Sequence, residues 1–313
     1  MGGARPNGLG FALRDPLPWE AFAATVREGE ALGYRAVFLP EIAGRDAVAA
    51  LAALAGETRA LLLGTGVLPM RSRTPMLTAM GAATVQERSG GRFVLGIGPG
   101  DVREGALEGL RRTVLEVRAL LAGEVLGPGR RLSLRPGSPV PIWISALGPR
   151  ACRLAGEVAD GALLNWCTPE RVAEARRAVT EAAERAGRSP SDMTLAVYVR
   201  CWVGEDEAAG LEALRRAAAE YASYPAYRRQ FERMGLGAEV ERAMAALRAG
   251  RPEEAPEALV RAVAAVGEGA ADRLRAYREA GADLVVVYPV AAGEPAASIL
   301  GTLRALAPGS TAA

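Results

Sequence analysis

The stretch LLLGTGVLPMRSRTPMLTAMGAATVQERSGGRFVLGIGPGD, residues 61–101, decides the fold of this chain. It holds two short apolar runs, Leu61–Val67 and Arg92–Ile97, which are typical of buried strands. Met76–Arg88 lies between them, has a helical pattern and is closed by Ser89, Gly90 and Gly91. A buried strand, a helix and a second buried strand in this order predict a parallel sheet with a crossover helix.

The same alternation recurs outward from this stretch along the whole chain. The apolar runs predicted as strands are Gly8–Leu13, Ala36–Leu39, Leu61–Val67, Arg92–Ile97, Val140–Ser145, Gly161–Asn165, Thr194–Val203 and Asp283–Val287. Eight strands, each followed by a helical run, predict an α/β fold of the (β/α)8 TIM barrel type. A doubly wound open sheet is the competing topology, and the absence of a break in composition favours the barrel.

A single domain over residues 1–307 is expected, with residues 308–313 as a flexible tail. A barrel of this type takes about 250 residues, and we assign the surplus to a helical insertion before the last strand, at about residues 205–268, which is predicted to hold no strand. This insertion carries an aromatic cluster of Tyr221, Tyr224 and Tyr227 beside Arg228 and Arg229. Packing of the extra helices is the favoured interpretation of the cluster, and a substrate lid or a dimer surface is the alternative.

Composition excludes several classes of enzyme. The 313 residues contain no histidine, and every one of the 38 basic residues is arginine. A chain without lysine forms no Schiff base and has no phosphate-binding loop of the GK[ST] kind. A chain without histidine has no Ser–His or Cys–His triad and no histidine-ligated metal, so we predict no metal site. Chemistry must rest on carboxylates, tyrosine, cysteine, hydroxyl or backbone groups, or a cofactor, and we favour the cofactor.

Charge and hydropathy bear on the partners. The 38 arginines face 36 acidic residues, for a net charge of +2, and this balance predicts neither nucleic acid nor a membrane surface as partner. The sequence shows neither a long uncharged apolar run nor a secretory leader pattern, so we expect a cytoplasmic protein.

Ligands of such a barrel bind at the carboxyl ends of the strands, and three successive ends here are rich in glycine. They are Gly64–Val67, Gly96–Asp101 and Ser145–Arg150. Glycine allows the close approach of a flat ligand, although strand-to-helix turns need glycine for structural reasons as well. The helix after Ser145–Arg150 presents free N–H groups to an anion, and Arg150 could add a bidentate contact.

Two carboxylates stand at such strand ends and are the candidate catalytic groups. Glu41 follows the second strand, and Asp101 follows the fourth. Asp46 is better explained as the cap of the next helix. Asn165 and Trp166 end the sixth strand, where the indole could wall a pocket or simply pack in the core.

At these residues the chain resembles the luciferase-like flavin- and deazaflavin-dependent oxidoreductases, and in particular the branch that includes methylenetetrahydromethanopterin reductase. The segments at residues 61–101 and 140–166 carry the resemblance. It implies a (β/α)8 barrel, often dimeric, that binds a flavin or the deazaflavin coenzyme F-420. Thr65, Gly66 and Val67 would back the tricyclic ring as a bulge, for which a non-proline cis peptide is one form. The other implied cofactor-binding residues are Gly98, Asn165 and, at the cofactor phosphate, Ser145, Ala146, Leu147, Gly148, Pro149 and Arg150.

The sequence departs from this family at the proton donor. Many relatives carry a histidine near the end of the second strand or in the loop after the third, where this chain has Glu41 and Thr74. Glu41, Asp101, a tyrosine or water must therefore protonate any intermediate.

Three functions follow as alternatives. The favoured one is hydride transfer between coenzyme F-420 and a small organic substrate with a C=N, C=C or C=O bond. The first alternative is an FMN-dependent monooxygenase that uses oxygen and reduced flavin, supplied by a partner flavin reductase. The second alternative is a non-catalytic flavin-binding barrel. In the favoured case the expected partners are the small-molecule substrate and a second copy of the chain in a homodimer.

Overall fold

Parallel strands and their connecting helices make up residues 6–14, 17–100 and 104–309, the part of the chain that the computed structural model describes. The strands are β1 Gly8–Ala12, β2 Ala36–Leu39, β3 Leu62–Thr65, β4 Leu68–Pro69, β5 Phe93–Gly98, β6 Ile142–Ser145, β7 Gly161–Asn165, β8 Thr194–Trp202, β9 Ala264–Val266 and β10 Leu284–Pro289. The α-helices are α1 Trp19–Ala31, α2 Ala47–Leu54, α3 Pro75–Arg88, α4 Ala106–Leu121, α5 Pro149–Val158, α6 Pro169–Arg185, α7 Glu207–Ala222, α8 Pro225–Arg233, α9 Gly237–Arg248, α10 Glu257–Val263, α11 Ala270–Glu279 and α12 Pro295–Ala305.

Eight of the strands close into a barrel in the order β1, β2, β3, β5, β6, β7, β8 and β10. β10 pairs with β1 through Gly8 and Leu284, and it pairs with β8 through Leu284 and Ala196. Every pairing is parallel, and the closed sheet leaves none of these strands at an edge. The predicted (β/α)8 TIM barrel is confirmed, and the open-sheet alternative is wrong.

Local capping signals explain why the predicted element bounds hold to within one or two residues. Asp46 caps α2 by accepting the Ala49 N–H, and Thr168 caps α6 by accepting the Arg171 N–H. The residue after the C-cap of α1 is Gly33, which has a φ of 89°, a left-handed conformation that glycine adopts at no steric cost. Such signals depend on neighbouring residues alone, so the sequence is sufficient to locate them.

The third predicted strand is interrupted. The structure divides Leu61–Val67 into β3 and β4, with a cis peptide bond between Gly66 and Val67. β4 then pairs with β5 through Leu68 and Ile97. The bulge that the family resemblance implied is therefore present, in its cis form.

The insertion differs from the prediction in one respect. Strand β9, Ala264–Val266, lies inside the segment that was predicted to hold no strand, so that prediction is wrong. β9 pairs with the last residues of β8 through Arg200 and Ala264. Because β8 is nine residues long, its end extends past β7, whose pairing with β8 stops at Tyr198, and offers free backbone groups on that side. A run of three small apolar residues between helices carries no strand pattern of its own, so only this pairing explains it.

Aromatic side chains fill the interior of the barrel. The Phe38 ring stacks on Trp143 at 5.7 Å between centroids and meets the Tyr198 ring edge-on at 5.9 Å. Phe38 and Trp143 are almost completely buried. Because these rings occupy the centre, and because barrels of this type bind their ligands at the strand ends, we expect a ligand site at the mouth formed by those ends.

The insertion, helices α7 to α10, packs on that mouth. Its buried side chains form a second apolar cluster with residues at the ends of β7 and β8: Trp166, Trp202, Leu214, Tyr221, Phe231, Val240 and Leu259. Gln230 Nε2 donates to the carbonyl oxygens of Asn165 and Trp166, each at 2.6 Å. Tyr221 and Tyr227 pack here as predicted, with ring centroids 4.8 Å apart, whereas Tyr224 stays 47% exposed.

Candidate active site

The bulge at Thr65–Val67 is held from both sides by its neighbouring strands. Thr65 Oγ1 donates to the Gly96 carbonyl at 2.9 Å and accepts the Gly96 N–H at 2.8 Å. On the other side the Gly66 N–H donates to the Leu39 carbonyl at 2.8 Å. The Thr65 side chain is fully buried and occupied by these bonds, so its contribution is to hold the bulge in shape.

Three of the predicted cofactor-binding residues meet at Gly98. A Cβ atom on Gly98 would lie 2.6 Å from Val67 Cγ2 and 2.8 Å from Ser145 Oγ. Real Cβ atoms do not come that close, so a glycine at the end of β5 allows the close approach of Val67, which lies between β3 and β4, and of Ser145 at the end of β6. Asp101, the second candidate catalytic residue, lies outside the described residues.

The loop Ser145–Arg150 leads into α5 and leaves its N-terminus open. Gly148 is the N-cap, Pro149 is the first helical residue, and no side chain of the described residues caps this helix. The loop is anchored by Arg171, whose Nη2 donates to the Leu147 carbonyl at 3.3 Å. The free N–H groups and the helix dipole favour an anion at this position.

Arg233 faces the same loop and was not selected by the sequence analysis. Its Nη1 lies 3.1 Å from the position that a Cβ of Gly148 would take. Arg233 ends α8, so it reaches the α5 N-terminus from the insertion, and no sequence spacing joins the two. Arg150, the arginine that the sequence did indicate, is exposed next to the loop.

Glu41 is held in an ion pair. Its Oε1 accepts a hydrogen bond from Arg73 Nε and its Oε2 accepts one from Arg73 Nη2, both at 2.9 Å. Oε2 also accepts a hydrogen bond from the Ala47 N–H at 3.1 Å. Arg73 contacts Asp46 as well. The Arg73 and Glu41 side chains are only 11% and 15% exposed. Glu41 would have to leave Arg73 to reach a ligand, and its catalytic role stays a prediction.

The charges of Glu41 and Asp46 stabilise the ionised form of Arg73, and Arg73 stabilises that of Asp46. The hydrogen bonds and charge of Glu41, followed by those of Asp46, raise the pKa of Arg73 against its partial burial. Burial opposes the shift at Asp46, but the Ala49 N–H and Arg73 lower the pKa of its carboxyl. Glu41, Arg73 and Asp46 also line an open cleft of about 390 Å³ together with Ile42 and Leu77.

Arg200, which the sequence analysis also missed, lies at the other side of the mouth. It is 4% exposed and points inward from β8. Its Nη1 donates to Asn165 Oδ1 at 2.6 Å, and its Nη2 donates to Tyr221 Oη at 3.1 Å. The guanidinium lies 3.7 Å from the Tyr288 ring centroid, 4.8 Å from Trp166 and 5.1 Å from Tyr221. The only signal in the sequence is one charge within the apolar run TLAVYVRCWV.

Asn165 is bound between Arg200 and the insertion. Its Oδ1 accepts a hydrogen bond from Arg200 Nη1, and its Nδ2 donates one to Tyr227 Oη at 2.8 Å. Trp166 follows with a φ of 51°, and its indole is buried, as the packing alternative expected.

Two buried donors at the mouth lack an acceptor among the described residues: Trp166 Nε1 and Tyr198 Oη. The Tyr198 hydroxyl lies against the bulge, since a Cβ on Gly66 would collide with it. Burial raises the pKa of Tyr198 well above its usual value, so the hydroxyl keeps its proton and remains a donor. Buried donors are normally paired, and these two favour a ligand with acceptor atoms.

The described part of the chain offers little for other kinds of site. Within it, no cluster of three or more Cys, Asp or Glu side chains could hold a metal ion. The three cysteines are buried, and burial raises the pKa of Cys167 and of Cys201 to about 12. None of the helices described combines the length and apolar character that a membrane span requires.

Comparison with known proteins gives the family. The model of the luciferase-like monooxygenase family matches residues 6–284. A 5,10-methylenetetrahydromethanopterin reductase of Methanolobus tindarius is 31% identical over 219 residues, which is 64% of this chain and 66% of that protein. The F-420-dependent glucose-6-phosphate dehydrogenase of Beutenbergia cavernae is 32% identical over 240 residues, 66% of this chain and 69% of that protein. The chain thus spans just under two thirds of the first relative and slightly more of the second.

Comparison with solved structures finds a similar fold in a related reductase. The solved structure of the coenzyme F-420-dependent tetrahydromethanopterin reductase of Methanopyrus kandleri superposes with a TM-score of 0.81 at 23% identity, covering 95% of this chain and 97% of that one. At this identity the likeness concerns the barrel and its insertion rather than the chemistry. On the family match, the chain belongs to the luciferase-like monooxygenase family.

Proposed function

We propose that this protein transfers hydride between coenzyme F-420 and a C=N, C=C or C=O bond of a small organic substrate. The observation that carries the proposal is the convergence of Val67, Gly98 and Ser145 beside the uncapped N-terminus of α5. This arrangement offers a flat surface for a ring system and an anion site one loop away. The dependence of similar proteins on F-420, as their names state, supports the deazaflavin over FMN.

The residues present fit such a cofactor. Gly66, Val67 and Gly98 would back the ring, and Asn165 would lie at its edge. Ser145, Ala146, Leu147, Gly148, Pro149 and Arg150 would hold the phosphate, and we add Arg233. When bound, the deazaflavin supplies the hydride chemistry, and the protein supplies orientation and exclusion of water. The insertion packed on the mouth serves that exclusion.

The proton is the part of the reaction that this chain must supply. Hydride addition to a C=N or C=O bond leaves negative charge on the nitrogen or oxygen, which a donor has to neutralise. We propose Glu41 and Asp101 for this role. Since Glu41 accepts hydrogen bonds from Arg73 on both oxygens, it can deliver a proton only after the pair has opened and its carboxylate has taken up a proton from water.

A homodimer is proposed on the apolar rim beside Glu41. Ile42, Leu77 and Met80 are large apolar side chains that are 59%, 47% and 51% exposed. Leu77 and Met80 are three residues apart on α3 and share one face of the helix. Ile42 lines the same cleft as Leu77. A second copy of the chain would cover this patch. Sedimentation of the purified protein as a monomer at micromolar concentration would contradict the homodimer.

Binding of coenzyme F-420 and of FMN to the purified apo-protein tests the cofactor, by fluorescence quenching and calorimetry. We expect micromolar binding of F-420 and at least tenfold weaker binding of FMN. Imines, activated alkenes and carbonyl compounds would then be screened for oxidation of reduced F-420. Glu41→Gln and Asp101→Asn should each lower turnover without abolishing cofactor binding.

Other outcomes of this experiment favour the alternatives. Preference for FMN, with oxygen uptake in the presence of a flavin reductase, would favour the monooxygenase. Binding of a cofactor without turnover of any substrate class would favour the non-catalytic barrel. Binding of neither cofactor would overturn the proposed function.

A further inference from the structure

We propose that Arg200 anchors a subsite for a carboxylate, and that the substrate is an organic acid with a flat, unsaturated or aromatic body. The subsite is defined by Arg200, Asn165, Trp166, Tyr198 and Tyr221. That its ligand is the substrate of the reaction rests on the proposed function.

The first step is the charge of Arg200. The side chain is 4% exposed, and its hydrogen-bond acceptors are the neutral oxygens of Asn165 and Tyr221. No carboxylate among the described residues pairs with it, in contrast to most of the buried or half-buried arginines. A buried guanidinium without a counter-ion is costly, and an anionic ligand would remove that cost.

The second step is an excess of donors. The guanidinium carries five N–H groups, and Trp166 Nε1 and Tyr198 Oη add two further buried donors that have no acceptor in the described part of the chain. A neutral carbonyl accepts from one or two donors. A carboxylate accepts from several and matches the guanidinium with two parallel bonds, so it fits this donor set better.

The nearby charges do not cancel that of Arg200. Arg14, whose pKa the charges of Glu220 and of the nearby Tyr221 and Tyr288 raise against its burial, pairs with Glu220 at 3.6 Å. Glu220 also accepts from Tyr224 Oη at 3.3 Å. Arg14 and Glu220 neutralise each other, and the positive charge of Arg200 remains.

The third step is the shape of the surroundings. The rings of Trp166, Tyr221 and Tyr288 surround the guanidinium, and Tyr227 and Asn165 lie at the half-buried side. Aromatic walls stack with a flat ligand and offer little to a polyhydroxylated one. The acid is therefore expected to carry a conjugated or aromatic body next to its carboxylate.

The test uses the apo-protein with sodium benzoate as the probe and benzamide as its neutral analogue, at constant ionic strength. Binding is followed by thermal stabilisation and by tryptophan fluorescence, to which Trp166 contributes. We expect benzoate to bind at least tenfold more tightly than benzamide. Arg200→Met should weaken benzoate binding at least tenfold, and Arg229→Met, an exposed arginine of the insertion, should leave it unchanged.

Asn165→Asp gives a second variant that preserves the shape of the site. It places a carboxylate where Asn165 Oδ1 now accepts a hydrogen bond from Arg200 Nη1. This carboxylate would act as a counter-ion for the guanidinium and should abolish the preference for benzoate. This variant decides the matter if Arg200→Met does not fold. Equal binding of benzoate and benzamide by the wild type, or an unchanged preference in Asn165→Asp, would overturn the proposal. Because F-420 is absent from the assay, this result is separate from failure of the proposed function.

Discussion

Two buried arginines at the mouth of the barrel, Arg73 after β4 and Arg200 on β8, are neutralised in different ways. Arg73 makes a bidentate ion pair with Glu41 and contacts Asp46. Arg200 is enclosed by aromatic rings and bonds only to neutral oxygens among the described residues. The difference indicates that the first arginine stabilises the β2–α2 loop, whereas the second retains a charge that a ligand can use.

The origin of the difference lies in the local sequences. The loop after β2 supplies two carboxylates, Glu41 and Asp46, within six residues. β8 is an apolar strand, and the segments packed against Arg200 are aromatic. An arginine placed there has no acidic partner among the described residues.

Replacing each arginine by methionine tests the comparison most directly. Arg73→Met leaves two carboxylates without their cation and should destabilise the fold by about 3–5 kcal/mol. Arg200→Met removes a cation that has no counter-ion among the described residues, so its cost should stay below about 2 kcal/mol. Urea unfolding at pH 7, followed by circular dichroism, gives both values. A larger loss for Arg200→Met would show that Arg200 is the structural residue of the two.

Gly66 and Tyr198 bring the two sides of the mouth into close contact. Gly66→Ala would drive a methyl group into the Tyr198 hydroxyl, and such overpacking costs about 1–3 kcal/mol. Tyr198→Phe should relieve part of this loss, because it removes the oxygen that is struck. Thermal melts of the two single variants and the double variant form a cycle. Strict additivity would mean that the hydroxyl is not the obstacle.

Arg233 provides a third environment, since it is exposed at the N-terminus of α5. Arg233→Gln should weaken F-420 binding about fivefold, or about 1 kcal/mol, because an exposed charge is partly screened. The loss should shrink at high salt. F-420 fluorescence titrations at low and high salt measure it, with Arg229→Gln as the control. An unchanged dissociation constant would place the phosphate elsewhere.

Asp46 is expected to give the smallest effect. Asn retains the capping acceptor, so Asp46→Asn should remove only the ion pair with Arg73, worth less than about 1 kcal/mol at the surface. The pKa of Asp46 is lowered in the folded state, so its contribution is present above its ordinary pKa and is lost as the pH falls through the folded value. Wild type and Asp46→Asn should therefore differ at pH 7 and converge in acid. Stability curves measured from pH 7 to pH 2 check this, and a constant difference would contradict it.

The comparison also shows how far the sequence could predict the site. Val67, Gly98 and Ser145 follow strands whose ends must share one edge of a parallel barrel, so their proximity could be expected. Arg200 and Arg233 could not be selected in this way, because one is a single charge in an apolar strand and the other belongs to the insertion. Glu41 was correctly placed at a strand end, but its pairing with Arg73, 32 residues later, was not foreseen.

The sequence by itself determined the order of strands and helices, their caps, and the glycine-rich ends of three successive strands. These features depend on periodicity and on residues a few positions apart, which the chain carries locally. Only the tertiary structure decided which charges are paired, where β9 attaches and which insertion side chains face the mouth. Those outcomes depend on contacts between residues far apart in the chain. Arg200 is buried among aromatic rings only once the barrel and its insertion have packed together.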